Sequence, residues 1–179
     1  MKETVNLQSA AIQKGAMFSE CGKYRYYLYR IWDASKPYVM CIGLNPSTAN
    51  SEDDDTTITN LCKLLPTYGY GGFYMTNLFA FISSNPDDLR SCPDPVKEND
   101  KFLEVVSSKF CRDVIFCWGA FKQGEYRIKK IALKFPNALC LGKTPSGKPL
   151  HPLAATIWMK SKCKLQPFFN YELSHTPPR

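Results

Sequence analysis

No apolar run in the chain approaches the roughly 18 residues a transmembrane helix needs, and the polar N-terminus lacks the hydrophobic core of a signal peptide. A soluble, cytoplasmic protein with no membrane partner is expected. Cys-x-x-Cys pairs are also missing, although the chain has eight cysteines. At 179 residues and 44% hydrophobic composition it can bury a sizeable core without a disulfide framework. Cys41, Cys117 and Cys140 stand inside apolar runs, where a reduced thiol behaves as a small hydrophobe. A zinc or iron–sulfur site built from the other cysteines is the less favoured reading, given their spacing. No metal and no cofactor is therefore expected. Internal repeats and long linkers are absent too, which points to one domain over residues 16–169. Residues 1–15 read as a loose start and 170–179 as a disordered tail. Acidic residues are outnumbered, 16 against 23 basic ones, for a net charge of +7. Such a balance favours an anionic partner, nucleic acid or a phosphorylated ligand; the plainer reading is a generically basic surface, which charge alone does not exclude. Oligomeric state leaves no trace in the composition.

What is present is organised around Cys41-Ile42-Gly43-Leu44-Asn45-Pro46-Ser47-Thr48. The apolar run from Tyr38 to Leu44 reads as a strand buried on both faces. It stops at Asn45-Pro46, because proline denies the helical region to the residue before it. A strand, this turn and a following helix put small polar side chains at a strand's carboxyl end, where ligands bind in open α/β sheets. Asn45 is thus the first candidate functional residue; the plainer reading is a turn-capping asparagine.

Upstream, Met17-Phe18-Ser19, Cys21-Gly22-Lys23 and the stretch Tyr24 to Trp32 suggest a β-hairpin with a glycine turn. Its second strand interleaves aromatics with Arg25 and Arg30, a composition able to stack bases and bind phosphates. An edge strand with solvated charges is the favoured reading. Downstream, Ile58, Leu61, Leu64 and Leu65 recur at helical spacing behind an Asp/Thr-rich cap and ahead of Pro66. A second buried strand, Phe73 to Leu78, again carries an asparagine, Asn77, near its carboxyl end. A helix over about Val96 to Phe110, a strand from Val114 to Gly119 and a basic helix over about Phe121 to Phe135 follow. That last helix is expected to bury Tyr126, Ile128, Ile131 and Leu133. A short strand from Ala138 to Leu141 runs into a Gly/Lys/Pro-rich loop ending at His151-Pro152, just before a final helix. Strands alternating with helices imply a three-layer α/β/α fold, with a central, mostly parallel four-stranded sheet plus the N-terminal hairpin. One rim of that sheet would collect Asn45, Asn77, Trp118-Gly119 and His151.

Ile42 to Ala49, Thr76-Asn77-Leu78-Phe79, Cys117-Trp118-Gly119 and the Lys-Pro-Leu-His-Pro-Leu loop resemble the family catalogued as domain of unknown function 1643, over about residues 20 to 168. In the same order they resemble the signature motifs of the uracil-DNA glycosylase superfamily. The resemblance implies that fold and an N-glycosidic hydrolase, with Asn45 positioning water, Asn77 reading the base and His151 stabilising the departing base. Ser47, Thr48, Phe79 and Trp118 would complete the substrate pocket, and Lys143 and Lys148 would grip backbone phosphates. The partner would be nucleic acid, DNA above all, or a nucleotide. Leu153 and Ala154 stand where the superfamily's loop usually offers a serine and a second proline, which counts against DNA-strand insertion. Asn45 in place of an aspartate implies a weaker catalyst or another substrate, since an amide cannot take a proton. The alternative is a non-catalytic module that recognises a nucleotide or a modified base in the same pocket.

Overall fold

The computed structural model describes residues 12–90, 96–121, 124–154 and 164–168. In chain order the elements are β1 (Gln13–Phe18), β2 (Arg25–Ile31), β3 (Tyr38–Gly43), α1 (Thr56–Leu64), β4 (Gly72–Asn77), α2 (Val96–Lys109), β5 (Asp113–Phe116), α3 (Glu125–Lys134), β6 (Leu139–Cys140) and β7 (Gln166–Pro167). Short 3-10 turns occupy Leu65–Tyr68 and Pro86–Arg90. Among these helices, none is long and apolar enough to cross a membrane.

β3 is the middle of the sheet because its apolar side chains find cover on both faces. It pairs in parallel with β4 on one side and β5 on the other, and β6 continues in parallel beyond β5. Successive side chains point to opposite faces. Val39 and Cys41 join Ile58, Leu61 and Leu64 of α1 in one core, while Met40 and Ile42 join Leu103 and Val106 of α2 and Ile128 and Ile131 of α3 in the other. Cys41, Cys117 and Cys140 are buried and unoxidised. The Cys41 thiol is pushed far up by its hydrogen bond with Cys117 and by burial, so it stays protonated.

The sheet has seven strands in the order β1-β2-β4-β3-β5-β6-β7, rather than four with a hairpin beside them. The hairpin joins it through β2, which pairs antiparallel with β4. At the far side β7 pairs antiparallel with β6; two residues ending in proline carry too little pattern to read as a strand. Because β1 and β4 flank β2, this strand is not an edge, and its arginines are not solvated. Arg30 is fully buried, paired with Asp54 at 2.7 Å and bonded to the carbonyls of Tyr29 and Asn50.

α3 also departs from expectation. Tyr126 and Leu133 are 82% and 62% exposed, while Arg127 is buried beside Ile128 and Ile131. At about 100° per residue, positions 126 and 133 turn away from the face that 128 and 131 share. Arg127 is tolerated inside because it pairs with Asp100 at 2.5 Å and donates to the Leu78 carbonyl at 2.8 Å. At the start of the chain, β1 begins at Gln13, inside the segment expected to be loose. The expected tail over 170–179, and the final helix beyond its opening turn at 152–154, lie outside the described residues.

Candidate functional site

A cleft of about 480 Å³ opens where β3, β4 and β5 end, and its lining includes Asn45, Asn77, Trp118 and His151. These four come from separate segments, and the parallel register brings them to one rim. Gly43 at the end of β3 lies opposite Asn77 at the end of β4, and Ile42 lies opposite Phe116 at the end of β5. All three strands therefore run out at one level, the place where open α/β sheets bind ligands.

Asn45 is held by its amide nitrogen, which donates to the Ser83 carbonyl at 2.8 Å and the Pro46 carbonyl at 3.1 Å. With the nitrogen spent on the backbone, the amide oxygen is the atom left to serve the cleft. Asn77 is different: it is 1% exposed, and neither its amide nitrogen nor its amide oxygen has a hydrogen-bond partner. A buried orphan amide costs about 1–3 kcal/mol for each unmet group. The backbone at this point is clamped, since Asn99 Nδ2 donates to the Asn77 and Leu78 carbonyls and Arg127 Nε also reaches Leu78. Gly43 makes room for the amide, because a Cβ there would stand 2.9 Å from Asn77 Oδ1.

His151 opens the turn at 152–154, and its Nδ1 accepts the Leu153 backbone N–H at 3.2 Å. The proton of the neutral ring then belongs on Nε2. Burial lowers the pKa of His151 below the usual 6.5, with Asp55 pulling the other way, so the ring is neutral at physiological pH. Gly119 lets this segment approach: its φ is +79°, and a Cβ would meet His151 Cβ at 3.3 Å. Trp118 packs its ring on Phe116, with centroids 4.5 Å apart, and its buried indole nitrogen has no partner.

Two charged residues complete the lining, and neither was singled out for it by sequence. Asp55 caps α1 by accepting the Ile58 N–H at 2.9 Å, and it also accepts the Ser47 hydroxyl at 2.8 Å. Its place at the end of an acidic run reads only as a helix cap. Arg25, the first residue of β2, is 2% exposed and donates to the Ala49 carbonyl, while its Nε is buried without a partner. Burial lowers its pKa to about 10, partly offset by Asp55, so the guanidinium keeps its charge at neutral pH. The alternation of arginine and aromatic residues in β2 was the available signal.

The other expected residues divide. Ser47 lines the cleft and is tied to Asp55. Thr48 is exposed and does not line it. Phe79 is half-buried against the second core, under Gly124, rather than in the lining. Lys143 and Lys148 also lie outside the lining: Lys143 sits over the Phe168 ring, and Lys148 belongs to the turn closed by Thr144. Among the described residues, no group of His, Cys, Asp and Glu side chains could hold a metal ion.

The chain belongs to a family described as protein of unknown function (DUF1643), whose model matches residues 25–153, a span holding Arg25, Asn45, Asp55, Asn77, Trp118 and His151. No curated protein and no solved structure matches it.

Proposed function

We propose that this cleft binds a nucleobase and hydrolyses its N-glycosidic bond, on a fold of the uracil-DNA glycosylase kind with parallel strands β4, β3, β5 and β6 as its core. The observation that carries the reading is the orphan amide of Asn77, buried in a cleft also lined by Asn45 and His151. An amide offers a donor and an acceptor side by side, the complement of a pyrimidine's carbonyl and imino edge. A ligand edge would meet both unpartnered atoms at once. The base sits, in nucleic acid or as a nucleotide, with its edge on Asn77.

Asn45 orients the attacking water through its amide oxygen, its nitrogen being held by the Ser83 and Pro46 carbonyls. Because an amide cannot take the proton this water loses, Asp55 takes it; it is the one carboxylate among the described lining residues. As the bond between sugar and base breaks, negative charge grows on the base. The neutral His151 ring donates from Nε2 to the base oxygen, a hydrogen bond that strengthens as that charge develops. A second reading, recognition without chemistry, draws support from the two hydrogen bonds that already occupy Asp55.

Release of free base, measured chromatographically from uracil-, hypoxanthine- and mismatch-containing oligonucleotides, nucleosides and nucleotides, separates the two. Turnover by the wild-type protein is expected to fall at least a hundredfold in Asn45→Ala and in His151→Ala, with binding largely kept. Binding of a base by a wild-type protein that releases none from any of these substrates rules out the hydrolase.

A further inference from the structure

Three arginines are buried in the described chain, at 0%, 2% and 4% exposure for Arg30, Arg25 and Arg127. Two of them meet a carboxylate: Arg30 with Asp54 at 2.7 Å and Arg127 with Asp100 at 2.5 Å. Among the described residues Arg25 has no ion pair; its one side-chain hydrogen bond goes to the Ala49 carbonyl, and its buried Nε is unmet. It is also the one of the three that lines the cleft. A buried cation without an ion-pair partner is costly, and the two paired arginines are the pattern from which this one departs. The nearby carboxylate, Asp55, offsets part of the burial cost, but its hydrogen bonds go to Ser47 and the first turn of α1 rather than to Arg25.

We propose that Arg25 forms an anion subsite inside the cleft and that the ligand is a free nucleotide whose phosphate enters it. This rests on the nucleobase reading of Asn77 given above. The side chain is too deeply buried to touch the phosphates of a duplex lying across the surface. Only an anionic group carried into the cleft with the base reaches it. Lys143 and Lys148, the residues expected to hold nucleic-acid phosphates, do not line the cleft. A volume of about 480 Å³ is of the size that accommodates one small ligand. The guanidinium fork suits phosphate oxygens.

Calorimetric titration of the full chain with the common nucleosides, their 5′-monophosphates, inorganic phosphate and a single-stranded octanucleotide tests this. The monophosphate of at least one base is expected to bind about tenfold or more tighter than its nucleoside, the worth of one charge-assisted hydrogen bond. In Arg25→Gln that advantage is expected to vanish while the nucleoside still binds. Equal affinity of nucleosides and monophosphates for the wild-type protein overturns the subsite whether or not any variant folds, and leaves the hydrolase standing. Tighter binding of the octanucleotide than of every monophosphate overturns the free-nucleotide assignment. Monophosphates that bind with the expected preference but release no base support the subsite and remove the hydrolase instead.

Discussion

Asn77 is a residue whose folded-state cost is visible and whose return is not, since both of its amide atoms are buried and unpaired. Replacing an orphan amide by an apolar group of its shape relieves desolvation without losing a hydrogen bond. Asn77→Leu is therefore expected to stabilise the protein by about 1 kcal/mol, a rise of about 2–4 °C in melting temperature for a domain of this size, while base binding is lost. Calorimetric melting with and without ligand checks both halves; a clear drop in melting temperature would mean the amide has a structural partner. His151 makes a second case. Its folded pKa lies below the ordinary 6.5, so the unfolded chain takes up this proton first as pH falls. The contribution of the neutral ring is fully present above about pH 6.5 and is lost as pH falls through that value toward the lowered folded pKa. Urea unfolding is expected to show a fall in stability as pH drops below about 6.5 that is smaller in His151→Gln. The His151 ring proton followed by NMR is expected to titrate below 6.5.

At the scale of elements, α1 does two things with one residue. Asp55 accepts the Ile58 N–H as helix cap and lines the cleft as a carboxylate. Asparagine caps as well as aspartate, and alanine does not. Asp55→Asn is expected to keep stability within about 0.5 kcal/mol, whereas Asp55→Ala loses about 1 kcal/mol. If the carboxylate accepts the water's proton, both variants lose turnover alike, at least a hundredfold. Turnover that follows stability instead, kept in the asparagine variant and reduced in the alanine one, assigns Asp55 to the cap alone. β2 teaches the complementary lesson. Its alternation of tyrosines and arginines suits an edge, yet pairing with both β1 and β4 encloses it, and each arginine must find a partner or a ligand.

Across the whole molecule, the charge of +7 attracts polyanions without specifying them. Lys143 and Lys148 do not line the cleft, so any DNA they hold is held outside it. That binding is expected to weaken steeply between about 50 and 200 mM salt, with the slope reduced by about one for each lysine replaced by alanine. Binding of a monophosphate in the cleft is expected to respond far less, because a buried charge is screened less than an exposed one. Equal salt slopes for the two ligands, both reduced by the lysine substitutions, would place the nucleotide on the lysine surface.

Much of the fold was legible in the sequence. The apolar run into Asn45-Pro46, the helical spacing of Ile58, Leu61 and Leu64, and the asparagine ending the next strand are local patterns, and the period of burial writes them into the chain. Local pattern also sufficed to bring Asn45, Asn77 and His151 under suspicion, because strand ends are marked by proline, glycine and short polar residues. Which strand lies beside which is settled by pairing between segments distant in sequence. Pairing put β2 inside the sheet, buried Arg25 in the cleft and made the helix cap Asp55 a lining carboxylate as well. It also left Lys143, Lys148, Thr48 and Phe79 outside the lining. Tertiary structure alone decides whether a polar atom ends with a partner: Arg30 and Arg25 share one strand and one residue type, and only the folded neighbourhood gives Asp54 to the Nε of the first and leaves the Nε of the second unmet.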